Sequence, residues 1–459
     1  MSFSISQNRP NWLALLHKLL LVAAITALTG CAVLDPHRIV SRQVDRLTVS
    51  STLDAHNREA AFNQVWQTIN DGYVDPHFNG VDWVAVRERY RPLVLNAPDD
   101  ATFWAELDQM AGELNDVHTR VETPARYAQI KHDKAAGLGI GVALLDGQLV
   151  IDGVGGQTQA ALLGVRSGQV LTGIDGQPAL DWWQQQLAHV RGGSTSWSRD
   201  AYVLRALNNP LPATQRMLEL ERPDKSAFSA TLRDEQIKAP PWLLSHTLTG
   251  NIAYLRFSGF DRDIKSDIMT ALDQAQTAQG IVLDLRSNGG GDGLMALDIL
   301  ARFVTGEVKG ARVITRDGKP VRLLGYPLLE TEPVLQGSAH PLTAPLAILI
   351  NRHSASAAEL TAGAAQAIGR ARVFGEVSCG CLLGFFDYDP LPGGGALAYS
   401  EVDMLLPNGQ RIEGRGVLPD EPVKVTRQTL SQGSDPVLHA ALDWLQQQKH
   451  PAASVQQTR

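Results

Sequence analysis

The chain has 459 residues, 44% of them hydrophobic and 19% charged, with a formal net charge of −7. Such a length suggests two to four domains, and the composition suits a globular protein. The negative balance gives no support to nucleic-acid binding.

Residues 1–30 lie outside the expected fold. Arg9, His17 and Lys18 precede an apolar run at 19–28 that is too short for a typical spanning helix. The run ends in Leu28-Thr-Gly-Cys31, which resembles a bacterial lipobox. The resemblance implies a lipid on Cys31, attaching the protein to a membrane without spanning it. Ala32 in place of Asp is similar to the outer-membrane lipoproteins, so a periplasm-facing location is expected. Residues 31–53 are polar and irregular and read as a tether.

Residues 54–130 read as a helical unit. Phe62, Val65, Trp66 and Ile69 recur at helical spacing, and Gly72-Tyr-Val-Asp-Pro76 breaks the pattern. Helices follow at 83–90 and 101–114, the second with Phe103, Leu107, Met110 and Leu114 on one face. The unit ends in Asp116-Val-His-Thr119. Residues 131–236 form a further domain with glycine-rich runs at 137–140 and 164–176. Two prolines within 237–244 mark its boundary. From residue 251, strands at 251–257, 280–284, 311–315, 346–350 and 373–375 alternate with helices at 264–279, 294–303 and 360–368. That alternation argues an α/β core over 237–430 with a mainly parallel sheet, its active residues beyond the strand ends. A helix at 435–448 closes the chain within the segment 431–459, and 451–459 is expected to be disordered.

Two stretches carry chemistry. The first follows the apolar run 346–350 and reads Asn351-Arg-His-Ser-Ala-Ser-Ala-Ala-Glu359. A strand that turns through small hydroxyl residues into a helix presents a serine where free N–H groups and the helix dipole favour developing negative charge. The same residues would also form a plain capping box, with Glu359 three residues after Ser356. The second is the strand 280–284 breaking into Arg286-Ser-Asn-Gly-Gly-Gly291, whose glycines let backbone N–H groups approach a ligand. No Gly-Lys-Ser/Thr follows, which argues against phosphate cradling.

Together these stretches, with Gly375-Glu376 and Gly416-Val-Leu-Pro-Asp420, resemble the tail-specific (C-terminal processing) and tricorn-core serine peptidases. The likeness runs from about residue 62 to about 425. It implies a crotonase-like spiral in the α/β core and Ser356 as nucleophile, with Ser354 a turn residue. Residues 135–234 resemble a PDZ domain, in which Gly137, Leu138, Gly139 and Ile140 would hold a peptide carboxylate. The likeness also implies an oxyanion hole of backbone N–H groups from Ala357 and from Gly290 or Gly291.

The processing branch takes its base from a lysine about twenty-five residues after the serine. Here that position is Cys381, and no lysine lies between Lys319 and Lys424. A thiol is a poor substitute for an amine base. The tricorn-like branch instead uses a histidine at the place of His118. An acid should orient it: Glu413 matches the tricorn-type glutamate, and Asp116 is the alternative. The family's relay serine before the histidine is Val117 here. His353, three residues before Ser356, has no counterpart in the family. Cys379 and Cys381 stand too close for an easy disulfide and form no zinc motif, so they read as small apolar fillers.

The leading expectation is a lipid-anchored serine endopeptidase acting on unfolded protein or peptide, without metal or cofactor. The alternatives are a catalytically inactive peptide-binding protein that keeps the fold, and redox control through the two cysteines.

Overall fold

The structure, a computed structural model, describes residues 35–449 apart from 36, 132–133, 209–214, 234, 239 and 324–325. Cys31, the expected leader at 1–30 and the tail 451–459 lie outside the described residues.

Six strands form the central sheet, in the order β1 (Leu243–Leu248), β2 (Ile252–Phe257), β3 (Gly280–Asp284), β4 (Leu346–Ile350), β5 (Ala371–Gly375) and β6 (Glu421–Pro422). The β1–β2 pair is antiparallel and every other pair is parallel. β3 and β4 are buried at every position. This is why both read as unbroken apolar runs, since a parallel sheet is covered on both faces. Each Val, Leu or Ile removed from water there contributes roughly 1.5–3 kcal/mol. The helix Lys265–Gln274, α6 (Gly293–Ala301) and α7 (Ala357–Ala367) cover one face. The other is covered by α8 (Pro436–Lys449), through Val437, Ala441 and Leu445. The Ala/Gly composition of α7 allows close packing: a Cβ on Gly363 would lie 2.9 Å from Leu406.

Ahead of the core, α2 (Ala55–Gly72), α3 (Trp83–Leu95) and α4 (Asp100–Gly112) share one apolar cluster with Leu391, Leu397 and Tyr399. The chain leaves α4 through the loop containing His118 and enters a short strand, Arg120–Glu122. That strand pairs antiparallel with Ala396–Ala398, which fastens the His118 loop to the core.

Residues 140–233 build an antiparallel sheet around their own core, with the helices Ala179–His189 and α5 (Asp200–Asn208) packed on it. A two-stranded ribbon, Lys134–Gly137 with Glu235–Lys238, joins this domain to β1. The strand expected near 311–315 exists but pairs with Val402–Leu405, outside the central sheet.

The tether reading needs correction. Residues Ser41–Thr48 form a helix, α1, docked on the core. Arg42 is fully buried, with Nε donating to Asp389 Oδ2 at 3.0 Å and Nη2 lying 3.0 Å from Glu401 Oε2. Arg38 bonds the other Asp389 oxygen at 2.8 Å, and Arg46 pairs with Asp387 at 2.5 Å. Removing one partner of such a buried pair leaves an uncompensated charge and costs about 3–5 kcal/mol. Arg38, Arg42 and Arg46 read as part of a solvated linker because the carboxylates that receive them lie 341–351 positions away.

Candidate active site

The turn after β4 is held by Ser354. Its hydroxyl donates to Leu285 O at 2.8 Å and accepts from Asn351 N at 3.0 Å, tying the end of β4 to the end of β3. Two residues on, Ser356 has φ +55° and ψ −119°. A non-glycine residue at positive φ is strained, and the sharp turn lifts its side chain off the backbone at the start of α7. Ser356 is half-buried and faces the cleft.

Glu359 maintains that turn. Its carboxylate is fully buried and accepts four hydrogen bonds: from Ser356 N (3.0 Å), Cys381 N (2.9 Å), Gly380 N (2.7 Å) and Ser378 Oγ (2.5 Å). Burial raises its pKa, while the four donors favour the anion. Glu359 therefore acts as more than a helix cap. It fastens the elbow to the loop 378–381, whose Cys381 carbonyl also accepts from Ser356 N at 3.0 Å.

That loop contradicts the reading of its cysteines as fillers, because Cys379 and Cys381 are joined in a disulfide. Gly380 between them adopts φ +74°, which turns the chain so that the two Cα atoms lie 5.3 Å apart, within the normal disulfide range. Neither sulfur is then a free thiol, so no thiolate base stands at the position of the family's lysine.

His118 lines the same cleft, as do Val117, Ser356, Ala357, Gly290, Gly291 and Cys381. The cleft encloses roughly 950 Å³. Its walls are largely apolar, with Leu382, Leu383, Phe385 and Phe386 on one side and Ile39 of the docked N-terminal segment at the edge. The His118 backbone N–H donates to Asp116 Oδ1 at 2.8 Å, and its Nδ1 lies 3.9 Å from that same oxygen. Nδ1 is buried and has no hydrogen-bond partner among the described residues. Burial lowers the imidazole pKa well below its ordinary value. Arg120 and Arg191 push the same way, and Asp116 opposes them. A neutral imidazole is what a general base requires.

The acid closest to the ring is Asp116, not the preferred Glu413. Asp116 is fully buried, and its Oδ2 accepts from Thr119 Oγ1 (2.6 Å) and Ser400 Oγ (2.5 Å). Arg191 caps its backbone carbonyl at 2.9 Å. Glu413 points elsewhere, accepting from Leu382 N at 2.6 Å and Leu383 N at 3.1 Å, with a further bond from the Ser194 hydroxyl. Ser194 in turn accepts from Val117 N at 3.3 Å. Glu413 thus supports the backbone of the histidine loop rather than its imidazole. Burial, and then the nearby Asp116 charge, push its carboxyl well above the usual range. Nothing local in the sequence pointed to Ser194, Arg191 or Ser400, because each reaches the loop from 75 or more positions away.

The oxyanion reading also changes. The Gly290 N–H is taken by Asn288 Oδ1 at 2.9 Å. Asn288 is itself buried and held by Phe257 O at 3.1 Å, which fixes its side chain over the loop. Gly290 matters instead for closeness: a Cβ there would lie 2.6 Å from Ser356 Cβ. Ala357 and Gly291 line the cleft, their N–H groups have no acceptor among the described residues, and they are the donors available to an oxyanion. His353 also lines the cleft, its backbone N–H held by Asn351 at 3.2 Å.

The glycine loop expected to capture a peptide carboxylate is occupied from within. Leu138 N donates to Asn208 O at 3.1 Å and Ile140 N to Asn208 Oδ1 at 3.3 Å, while Asn208 Nδ2 returns a bond to Ile140 O at 2.9 Å. Asn208 ends α5, so a carboxylate bound there would have to displace it.

The lowered pKa sets a pH dependence. A base whose pKa lies below 6.5 stays neutral to lower pH than a free imidazole. Peptidase kcat/KM is expected to hold as pH falls through 6.5 and to be lost only at more acidic values, with near-UV circular dichroism reporting the fold at each point. An acid limb centred at or above 6.5 would contradict a histidine kept neutral in its half-buried site.

Residues 251–423 match the sequence model of Peptidase family S41, and residues 54–112 match that of the Tricorn protease C1 domain. The core is therefore a family S41 peptidase domain, and the chain is a serine-type peptidase. It is similar to the carboxyl-terminal-processing protease of Picosynechococcus sp., 27% identical over 403 residues, covering 84% of this chain and 88% of the relative. Among solved structures its fold is similar to a photosystem II D1 C-terminal processing protease, with 22% identity, TM-score 0.54, and 83% and 98% of the two chains covered. It is also similar to mature CPAF, with 14% identity, TM-score 0.62, and 86% and 96% covered.

Proposed function

We propose that the protein is a lipid-anchored endopeptidase that cleaves unfolded polypeptide through an acyl-enzyme. The observation that carries the reading is the presence of Ser356, a half-buried His118 held neutral, and two N–H donors with no acceptor among the described residues at one apolar cleft. Ser356 Oγ attacks the scissile carbonyl while His118 takes its proton and later passes it to the leaving amine. Asp116 holds the histidine loop and stabilises the imidazolium as it forms. Ala357 N–H, with Gly291 N–H, receives the oxyanion; losing one such donor typically costs about 3–4 kcal/mol. Water then enters, activated by the same imidazole, and releases the acyl group.

An apolar cleft of this depth favours unfolded chains, whose apolar side chains are accessible, over folded ones. The lipid on Cys31 would hold the enzyme at the outer membrane, facing the periplasm. Two measurements test the reading together. The full chain is expected to hydrolyse an unfolded protein but not its folded form. Cys31→Ser is expected to move the enzyme from the membrane to the soluble fraction with that activity intact, because the anchor lies outside the core. Equal cleavage of both forms, or membrane association that survives the substitution, would contradict the corresponding half.

A further inference from the structure

The catalytic cleft does not end at its own walls. A second groove of about 610 Å³ adjoins it and shares Arg262, Asp292, Leu294, Leu297 and Pro333 with it. One side of the groove is the outer face of α6. The other is the strand Val334–Gln336. This strand pairs with Glu307–Lys309 on one edge, and among the described residues no strand lies on its other edge. Leu294 and Val334 face solvent, each 53% exposed, and both line the groove. Large apolar side chains exposed together at the edge of a cleft mark a surface that something covers.

The charges narrow what that occupant can be. Arg262 is paired with Asp292 at 2.6 Å and Lys265 with Asp298 at 2.6 Å, both pairs within the groove wall. Each cation is answered by its own anion, so the groove offers no net charge to a ligand. What remains is apolar contact and an unpaired strand edge, and both suit an extended peptide. In an extended chain alternate side chains point the same way, and an open strand edge can bond its backbone.

We propose that this groove is a substrate subsite, holding an extended, apolar stretch of the same polypeptide whose scissile bond lies at Ser356. The proposal rests on the endopeptidase reading and adds where the substrate runs and which side chains it favours. Its continuity with the cleft through five shared residues selects the substrate, rather than a second protein, as occupant. Residues remote from the reacting bond raise kcat/KM by their binding energy. One well-buried apolar side chain is worth about tenfold by that route.

The test uses three fluorogenic peptides: a short core peptide, and the same core extended by an alternating Leu/Ser segment at its N-terminus or at its C-terminus. For the full chain, one of the extended peptides is expected to show a kcat/KM about tenfold above the core peptide. Val334→Asp, at an exposed position, is expected to bring that ratio close to one, and Val334→Leu to keep it. A ratio of one for both extensions in the unaltered enzyme would overturn the subsite. So would a raised ratio that Val334→Asp leaves unchanged. If none of the three peptides is hydrolysed, the endopeptidase reading itself fails and the subsite with it. A flat ratio with normal core hydrolysis removes the subsite alone.

Discussion

Ser356→Ala and His118→Ala are each expected to lower kcat/KM by about four to six orders of magnitude, and the double variant little further. The near-equality of the singles is the informative part. A serine hydroxyl is a weak nucleophile until a base removes its proton, and a base with nothing to deprotonate is idle. The two residues therefore act as one unit. Residual activity in both variants should reflect substrate binding and the oxyanion donors at Ala357 and Gly291. Neither substitution should disturb the fold: Ser356 and His118 are both half-buried, and among the described residues His118 bonds through its backbone N–H and carbonyl, which alanine keeps. The measurement is steady-state hydrolysis of an unfolded substrate, with circular dichroism as the fold control. A His118→Ala enzyme that keeps most of its activity would require another base.

The second large effect is expected at Glu359, which never touches the reacting atoms. Its two oxygens accept four hydrogen bonds, two each. Glu359→Gln replaces one oxygen by an amide that can only donate, so in either orientation one backbone N–H, that of Gly380 or that of Cys381, loses its acceptor and faces another donor. An unsatisfied buried donor costs about 1–3 kcal/mol. The elbow at Ser356 and the disulfide loop 378–381 then lose their common anchor. A shift of about 1 Å in a catalytic group can cost a hundredfold. Glu359→Gln is therefore expected to lower kcat by about that factor. Amide hydrogen exchange should also rise at Gly380 and Cys381, whose N–H groups the carboxylate now holds. Unchanged exchange with unchanged kcat would show that the carboxylate is dispensable.

How much of this was readable beforehand depended on the range of the forces involved. The strands at 280–284 and 346–350 declared themselves because complete burial demands an unbroken apolar run. The elbow at Ser356 was readable because a strand, a turn of small residues and a helix are all local. The histidine could be named from its own short motif once the lysine was found missing at 381. What failed was decided by partners distant in the chain. The charged run around Arg42 read as linker because nothing nearby showed that Asp389 and Glu401 would receive it. Glu413 was preferred over Asp116 on resemblance alone, and the fold turns its carboxylate toward Leu382 and Leu383. Gly290 read as an oxyanion donor until the buried Asn288, two residues away, proved to hold its N–H. The cysteines were judged on spacing, while the positive φ of Gly380 sets their approach. Pairing and side-chain direction are tertiary facts, and residue type alone does not carry them.

The central claim is that Ser356 is a nucleophile activated by His118. The most direct measurement is reaction of the full chain with a serine-directed fluorophosphonate, located by peptide mass mapping and repeated in His118→Ala. Stoichiometric labelling confined to Ser356, with its rate reduced by orders of magnitude in His118→Ala, is the predicted result. No labelling of the unaltered protein that nonetheless hydrolyses peptide, labelling elsewhere, or labelling at Ser356 that proceeds equally fast without His118 would contradict the account.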